Sequence, residues 1–185
     1  MILLKKFYRK IVYWTRAILS FLRILHFKMQ YPSLQIDLLS YLESGVEIVS
    51  GDGAYCEIIN TRVERGVFIK VAPGANLKIK NSYIGSYSLI IAHDSIEINS
   101  HCSIGEMVVI RDQNHQYGKE ILLKDSGYDT AGIVIGENVW LGAKSTILKG
   151  VNLGKNVVVG AHSLVNKSFP EGSIIAGIPA KPMNI

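Results

Sequence analysis

From about Ile69 onward, aliphatic residues recur every six positions, and this period limits the fold more than any other feature of the chain. In the C-terminal stretch Ile135-Gly136, Leu141-Gly142, Ile147, Leu153-Gly154 and Val159-Gly160 stand six apart. A small or β-branched residue follows four places later, as in Val139, Ser145, Val151, Val157 and Ser163. A helix repeats every ~3.6 residues and a strand every two, so neither accounts for the pattern. A second run, Ile84-Gly85, Ile90 and Ile96, slips by two residues to Ile98, Ile104-Gly105 and Ile110. Each hexad reads as a short flat strand and a tight corner: the aliphatic points inward, and the Gly or Asn after it permits the turn. Three hexads close a triangular coil, and coils stacked through parallel hydrogen bonds build a core by repetition. An all-β parallel β-helix is therefore expected over 69–185. Spacing alone leaves its hand open, although ordinary crossovers are right-handed. Residues 31–68 are expected to be an entry segment of irregular early coils, because Val46-Glu47-Ile48-Val49 and Val67-Phe68-Ile69 alternate as strands do.

The formal charge of +5 is concentrated at one end. Lys5, Lys6, Arg9, Lys10, Arg16, Arg23 and Lys28 all precede the first acidic residue, Asp37, which leaves 13 basic against 15 acidic residues in the remainder. A basic body wrapping nucleic acid is excluded on that balance. On a helical wheel Leu4, Phe7, Ile11, Trp14, Ile18, Leu22 and Leu25 form one stripe, with Lys5, Arg9, Arg16 and Arg23 opposite. Residues 1–30 thus read as a basic amphipathic helix of the kind that lies in an anionic headgroup layer, or as an arm packed on the body or on a neighbouring subunit. Charges recur up to Lys28 and interrupt every apolar run before the ~20 residues that a bilayer span requires. A cytoplasmic protein, peripheral at the inner face of a membrane, is the expectation. Tyr31-Pro32-Ser33 marks the break between arm and body. Cys56 and Cys102 form neither a disulfide framework nor a metal-ligand spacing, and read as small apolar core residues in a reducing compartment.

Between Ile110 and Ile133 the period lapses, so a loop, 111–132, is expected to be extruded from the coil. It contains Arg111-Asp112-Gln113-Asn114-His115-Gln116-Tyr117-Gly118. Loops on rigid scaffolds display reactive side chains, and an imidazole titrating near neutrality suits removal of a hydroxyl proton during attack. His115 is the candidate base. Asp112 is a candidate to orient it, or else caps the loop, and Glu106 is a second candidate for the orienting role. His93 and His101 fall at coil corners, on the surface or lining an acceptor groove.

The segment from Ile135 to Met183, IGENVWLGAKSTILKGVNLGKNVVVGAHSLVNKSFPEGSIIAGIPAKPM, resembles the C-terminal signature of hexapeptide-repeat O-acetyltransferases, the group of galactoside, maltose and capsule-sugar acetyltransferases. The resemblance implies a left-handed coil, acetyl-CoA as co-substrate without a metal, and a homotrimer with active sites between subunits. His115, in a "DxxH"-like segment ahead of the NVWLG stretch, takes the place of the family's catalytic base. By the same resemblance the Ala143 backbone N–H is the oxyanion donor and Trp140 lies beside the pantetheine arm. Gly142, Ala143, Gly160 and Ala161 line the cofactor path, Asn166 is a further cofactor-binding position, and Lys167 and Lys181 stand near the CoA phosphates. Asn166 departs from the threonine common at its position, and His162 replaces a residue that is usually small. The membrane-seeking arm points to an acceptor hydroxyl on a capsular, lipopolysaccharide or exopolysaccharide intermediate. Two other readings are a small soluble acceptor, either a free sugar or an antibiotic, and a non-catalytic trimeric scaffold. A zinc carbonic-anhydrase site of the same architecture would need a His pair about five residues apart that this chain lacks.

Overall fold

The computed structural model describes residues 2–118 and 122–183, so part of the extruded loop, 119–121, lies outside the described residues. Behind one helix, Ile2–Gln30, the chain winds as a left-handed parallel β-helix with three flat faces. The first and third faces are six-stranded sheets and the second is eight-stranded. From Leu34 to Val165, apart from one two-stranded hairpin, strands visit the faces in rotation, so each interior strand pairs with the strand one coil before and one coil after it. Inward positions are almost all Ile, Val or Leu with essentially no exposed surface, Ile84, Ile104, Leu141 and Val159 forming one such column.

The coils correct two expectations. Residues 34–68 are regular: Leu34–Ile36, Tyr41–Leu42 and Glu47–Ser50 pair in parallel register with Tyr55–Ile59, Arg62–Val63 and Phe68–Val71. Their repeat is longer than eighteen residues, since Ile48, Ile69 and Ile90 succeed one another at twenty-one-residue steps. The later pairs Ile135–Leu153, Leu141–Val159 and Ile147–Val165 are spaced by eighteen. The longer coils carry strands with two inward residues, as Cys56 and Ile58, Leu77 and Ile79, or Ile96 and Ile98. The two-residue slip between Ile96 and Ile98 is therefore one strand burying both.

The second correction concerns the corner glycines. Gly85, Gly105, Gly142 and Gly160 do not have positive φ; the left-handed residue comes two places later, at Tyr87, Met107, Lys144 and His162. Glycine is needed because coils stack too closely for a side chain: a Cβ on Gly142 would lie 2.5 Å from the Ala161 nitrogen, and one on Gly105 2.7 Å from that of Ala143.

The helix lies against the first strands of two faces and closes that end of the core. Ser20, Ile24 and Phe27 face the body and are buried; burial of the two apolar ones contributes roughly 1.5–3 kcal/mol each. The edge strand Tyr41–Leu42 is satisfied by the helix: Leu42 N–H donates to Ser20 Oγ at 2.8 Å, and Arg23 donates to Leu42 O at 3.1 Å. An open sheet edge is thus covered rather than left to pair with another chain. Arg16 also faces the body, beside Ser20, Tyr41 and Arg62, and helps to hold the Glu43 carboxyl below its usual range, behind the Ser44 N–H as the main cause. Two of the four cations expected on a free basic face therefore serve the body. The stripe Leu4, Phe7, Ile11, Trp14, Ile18, Leu22 and Leu25 is the exposed one.

Candidate active site

The extruded segment leaves the coil at the corner between the third and first faces as an antiparallel hairpin, Gln113–His115 against Tyr128–Thr130, with His115 opposite Tyr128. Near its tip, Gln116 N–H donates to Gly127 O at 2.9 Å, and at its root Ala131 N–H donates to Asp112 O at 3.0 Å. Lys149, from the coil beyond, reaches Asp129 at 2.7 Å. The Lys149 side chain is half-buried while Asp129 is open to solvent, which screens the pair and keeps its contribution to stability small.

His115 is exposed and borders an open pocket with Gln116, Tyr117, Tyr128, Asp129 and Thr130. Its Nδ1 lies 3.2 Å from Ser126 Oγ, and its ring centroid is 4.7 Å from that of Tyr128. On its other neighbour, Tyr128 meets His93 edge-on at 4.4 Å. His93 is half-buried, and burial, reinforced by Lys70, lowers its pKa below the ordinary 6.5.

Asp112 does not orient His115. Its side chain is fully buried and turns back into the preceding coil, where its two oxygens accept the N–H groups of His93 at 2.7 Å and Asp94 at 2.8 Å. Burial pushes its pKa up despite those two bonds, which pull it down. Asp112 is the hairpin's anchor, because its carbonyl holds the returning chain at Ala131 while its carboxylate holds the coil below. Glu106 does not meet His115 either; it lines a groove at another corner.

That groove, about 410 Å³, lies where the second face turns into the third, between Tyr83, Ser103, Trp140, Val158 and the stacked corner segments of Gly105, Gly142 and Gly160. Trp140 is 55% exposed, too open for a core residue, and stands beside Ala143 and Ala161. Among the described residues no acceptor pairs with the Ala143 N–H, and the same holds for Ala161 one coil on. Gly142 and Gly160 are fully determined by stacking, since a Cβ on Gly160 would meet that of Ala176 at 2.8 Å. Asn166 and Lys167 follow the strand Leu164–Val165, with the Lys167 ammonium over the Phe169 ring at 5.5 Å. Lys181 is exposed on the strand Ala180–Pro182, which runs antiparallel to Ile174–Gly177. His162 is exposed at a left-handed corner and does not line the groove.

Within one copy the His115 pocket and the Trp140 groove share no residue and occupy different corners. Ser126, Tyr128 and His93 are the members of the imidazole's surroundings that sequence reasoning did not find in that role. Ser126 and Tyr128 lie eleven and thirteen residues from His115 in a segment without period, and His93 sits one coil below. Among the described residues no group of three His, Cys, Asp or Glu side chains is placed to hold a metal ion.

Residues 132–167 match the family model described as bacterial transferase hexapeptide (six repeats). Over 109 residues the chain is 37% identical to WbbJ of Escherichia coli (strain K12), whose name assigns it an O-acetyl transfer in lipopolysaccharide biosynthesis; the match covers 55% of this chain and 56% of that one. It is 32% identical over 123 residues to the galactoside O-acetyltransferase of the same organism, covering 66% and 59%. The chain thus spans little more than half the length of these relatives. Among solved structures, AntD, an N-acyltransferase from Bacillus cereus in complex with dTDP and 3-hydroxybutyryl-CoA, superposes with a TM-score of 0.67 at 18% identity, over 85% of this chain and 86% of that one.

Proposed function

We propose that this hexapeptide-repeat chain is an acyl-CoA-dependent O-acetyltransferase in which His115 removes a proton from a sugar hydroxyl. The observation that carries the reading is a single exposed imidazole on a hairpin anchored to a rigid coil, in a chain that also carries an open groove of bare backbone beside Trp140. His115 Nε2 takes the hydroxyl proton while the oxygen attacks the thioester carbonyl. The tetrahedral oxyanion that forms is met by the Ala143 N–H, a donor fixed in place before charge develops. Collapse breaks the C–S bond, and the leaving CoA sulfur takes the proton back from the imidazolium, so the base is regenerated and the proton count closes. Trp140, Ala161 and the corner glycines border the thioester arm, and Asn166, Lys167 and Lys181 supply polar and cationic groups toward the CoA phosphates.

The separation of the two half-sites supports a homotrimer. A thioester lying along one copy's groove would meet His115 of a neighbouring copy, so an isolated chain would be incomplete. The acceptor we infer is a lipopolysaccharide, capsular or exopolysaccharide intermediate, because the helix turns its apolar stripe away from the body and carries Lys5, Lys6, Arg9 and Lys10 in its first turns. That stripe would rest in an anionic headgroup layer, where lipid-linked glycans are met in two dimensions. No helix of the described residues is long and apolar enough to cross a membrane.

With acetyl-CoA and such a glycan acceptor, His115→Ala is expected to lower kcat by about 10²–10⁴-fold with an unchanged melting temperature, and the active species to have the mass of three copies. Full transfer by His115→Ala would end the proposal. In sedimentation with anionic liposomes, the full-length variant Phe7→Gln/Trp14→Gln should bind less than the unmodified chain, and equal binding would remove the membrane contact. Deleting the helix is the wrong test, because Ser20, Ile24 and Phe27 also close the core.

A further inference from the structure

A general base must present a lone pair, and a neutral imidazole has only one, on whichever nitrogen lacks the proton. Ser126 Oγ lies 3.2 Å from His115 Nδ1, and the same hydroxyl donates to the Leu123 carbonyl at 2.8 Å. A hydroxyl has one proton, and a carbonyl oxygen can only accept, so the serine proton is committed to Leu123. Toward His115 the serine oxygen can then only accept. Nδ1 must carry the imidazole proton, and the Nε2 lone pair stands open.

The serine is itself held in place. It follows the short 3₁₀ turn Leu123–Asp125, and its N–H also points to Leu123 O, at 3.3 Å. The imidazole is restrained by the ring of Tyr128, its partner across the hairpin, inclined at 46°. Three carboxylates that could have oriented it are occupied elsewhere: Asp112 on the backbone of His93 and Asp94, Glu106 in the Trp140 groove, and Asp129, which borders the same pocket, on Lys149.

We propose that Ser126 is the positioning residue of the site: it sets the tautomer of His115 by accepting from Nδ1–H, so that Nε2 is the nitrogen that receives the acceptor's proton. The inference rests on the reading of His115 as the general base, and it replaces the carboxylate of a hydrolytic triad with a neutral oxygen that is itself anchored by the backbone. A free histidine side chain prefers its proton on Nε2, so without the serine the wrong nitrogen is favoured.

The test uses the full chain labelled with ¹⁵N at histidine, near pH 8, with the His115 resonances assigned by their loss in His115→Gln. Ring-nitrogen shifts should report Nδ1–H in the unmodified chain and a shift toward Nε2–H in Ser126→Ala. The same variant should lower kcat on the order of tenfold while the KM for acetyl-CoA holds, and Ser126→Thr should keep both the tautomer and the rate. An Nε2–H imidazole in the unmodified chain would overturn the proposal, as would an unchanged kcat in Ser126→Ala. If His115→Gln itself leaves transfer intact, the function reading and the positioning role both fall, while the shifts still decide the hydrogen bond.

Discussion

The coils from Ile133 to Val165 and the hairpin just before them differ in what holds them. In the coils, Ile133, Ile135, Leu141, Ile147, Leu153, Val159 and Val165 are all buried, and each sits in a strand paired on both sides or beside one that is. In the hairpin, only Gln113 of the paired residues is buried, and the rest depend on a root, a stack and one turn. Redundant support makes the coil stiff. It also means that inward coil residues answer to stability, whereas hairpin residues are free to answer to chemistry. Asp112 belongs to both regions.

This contrast can be broken in three ways, in order of expected effect. Leu153→Ala removes a fully buried side chain from a column that cannot collapse, so it should cost about 2–5 kcal/mol in denaturant unfolding while leaving KM and kcat of the folded fraction unchanged. A comparable loss of kcat at full occupancy of the fold would show that coil and hairpin are not separable. Asp112→Asn tests the joint. An amide has one acceptor oxygen for two N–H donors and turns its NH₂ toward the other, leaving a buried group unpaired; this should cost about 1–3 kcal/mol. Hydrogen exchange should quicken at Ala131 and in the hairpin strands before it does in the coils, and uniform quickening would place Asp112 in the coil alone.

The smallest effect is a pH slope. His93 has a folded pKa below 6.5, set by burial first and then by Lys70 and Arg111, with Asp112 opposing. Below pH 6.5 the unfolded chain takes up a proton that the folded site resists. The stabilising difference is therefore complete above 6.5 and declines as pH falls through the window between 6.5 and the folded value. His93→Gln should flatten the melting temperature over that window, and an unchanged slope would assign the acid sensitivity elsewhere.

The hairpin was legible only as a gap in the period, with His115 inside it. The hexad run from Ile135 onward carried the coil, its three faces and its inward residues, because local direction repeats with the chain and each inward aliphatic can be counted. The twenty-one-residue coils escaped that count, since two inward residues per strand shift the register without disturbing the stacking of Ile48, Ile69 and Ile90. The corner glycines were visible, but their reason was not: the constraint comes from the backbone of the next coil.

By itself the sequence determined that this chain stacks short strands around an aliphatic core, that it begins with an amphipathic basic helix, and that it extrudes a histidine-bearing loop. The tertiary structure alone decided that Arg16 and Arg23 face the body, that Asp112 anchors the loop instead of serving His115, and that Ser126 and Tyr128 surround the imidazole. The division has a physical cause. Apolar burial is collective and leaves a periodic trace along the chain, whereas a polar group's partner is chosen by a contact of about 3 Å between atoms whose separation in sequence carries no rule.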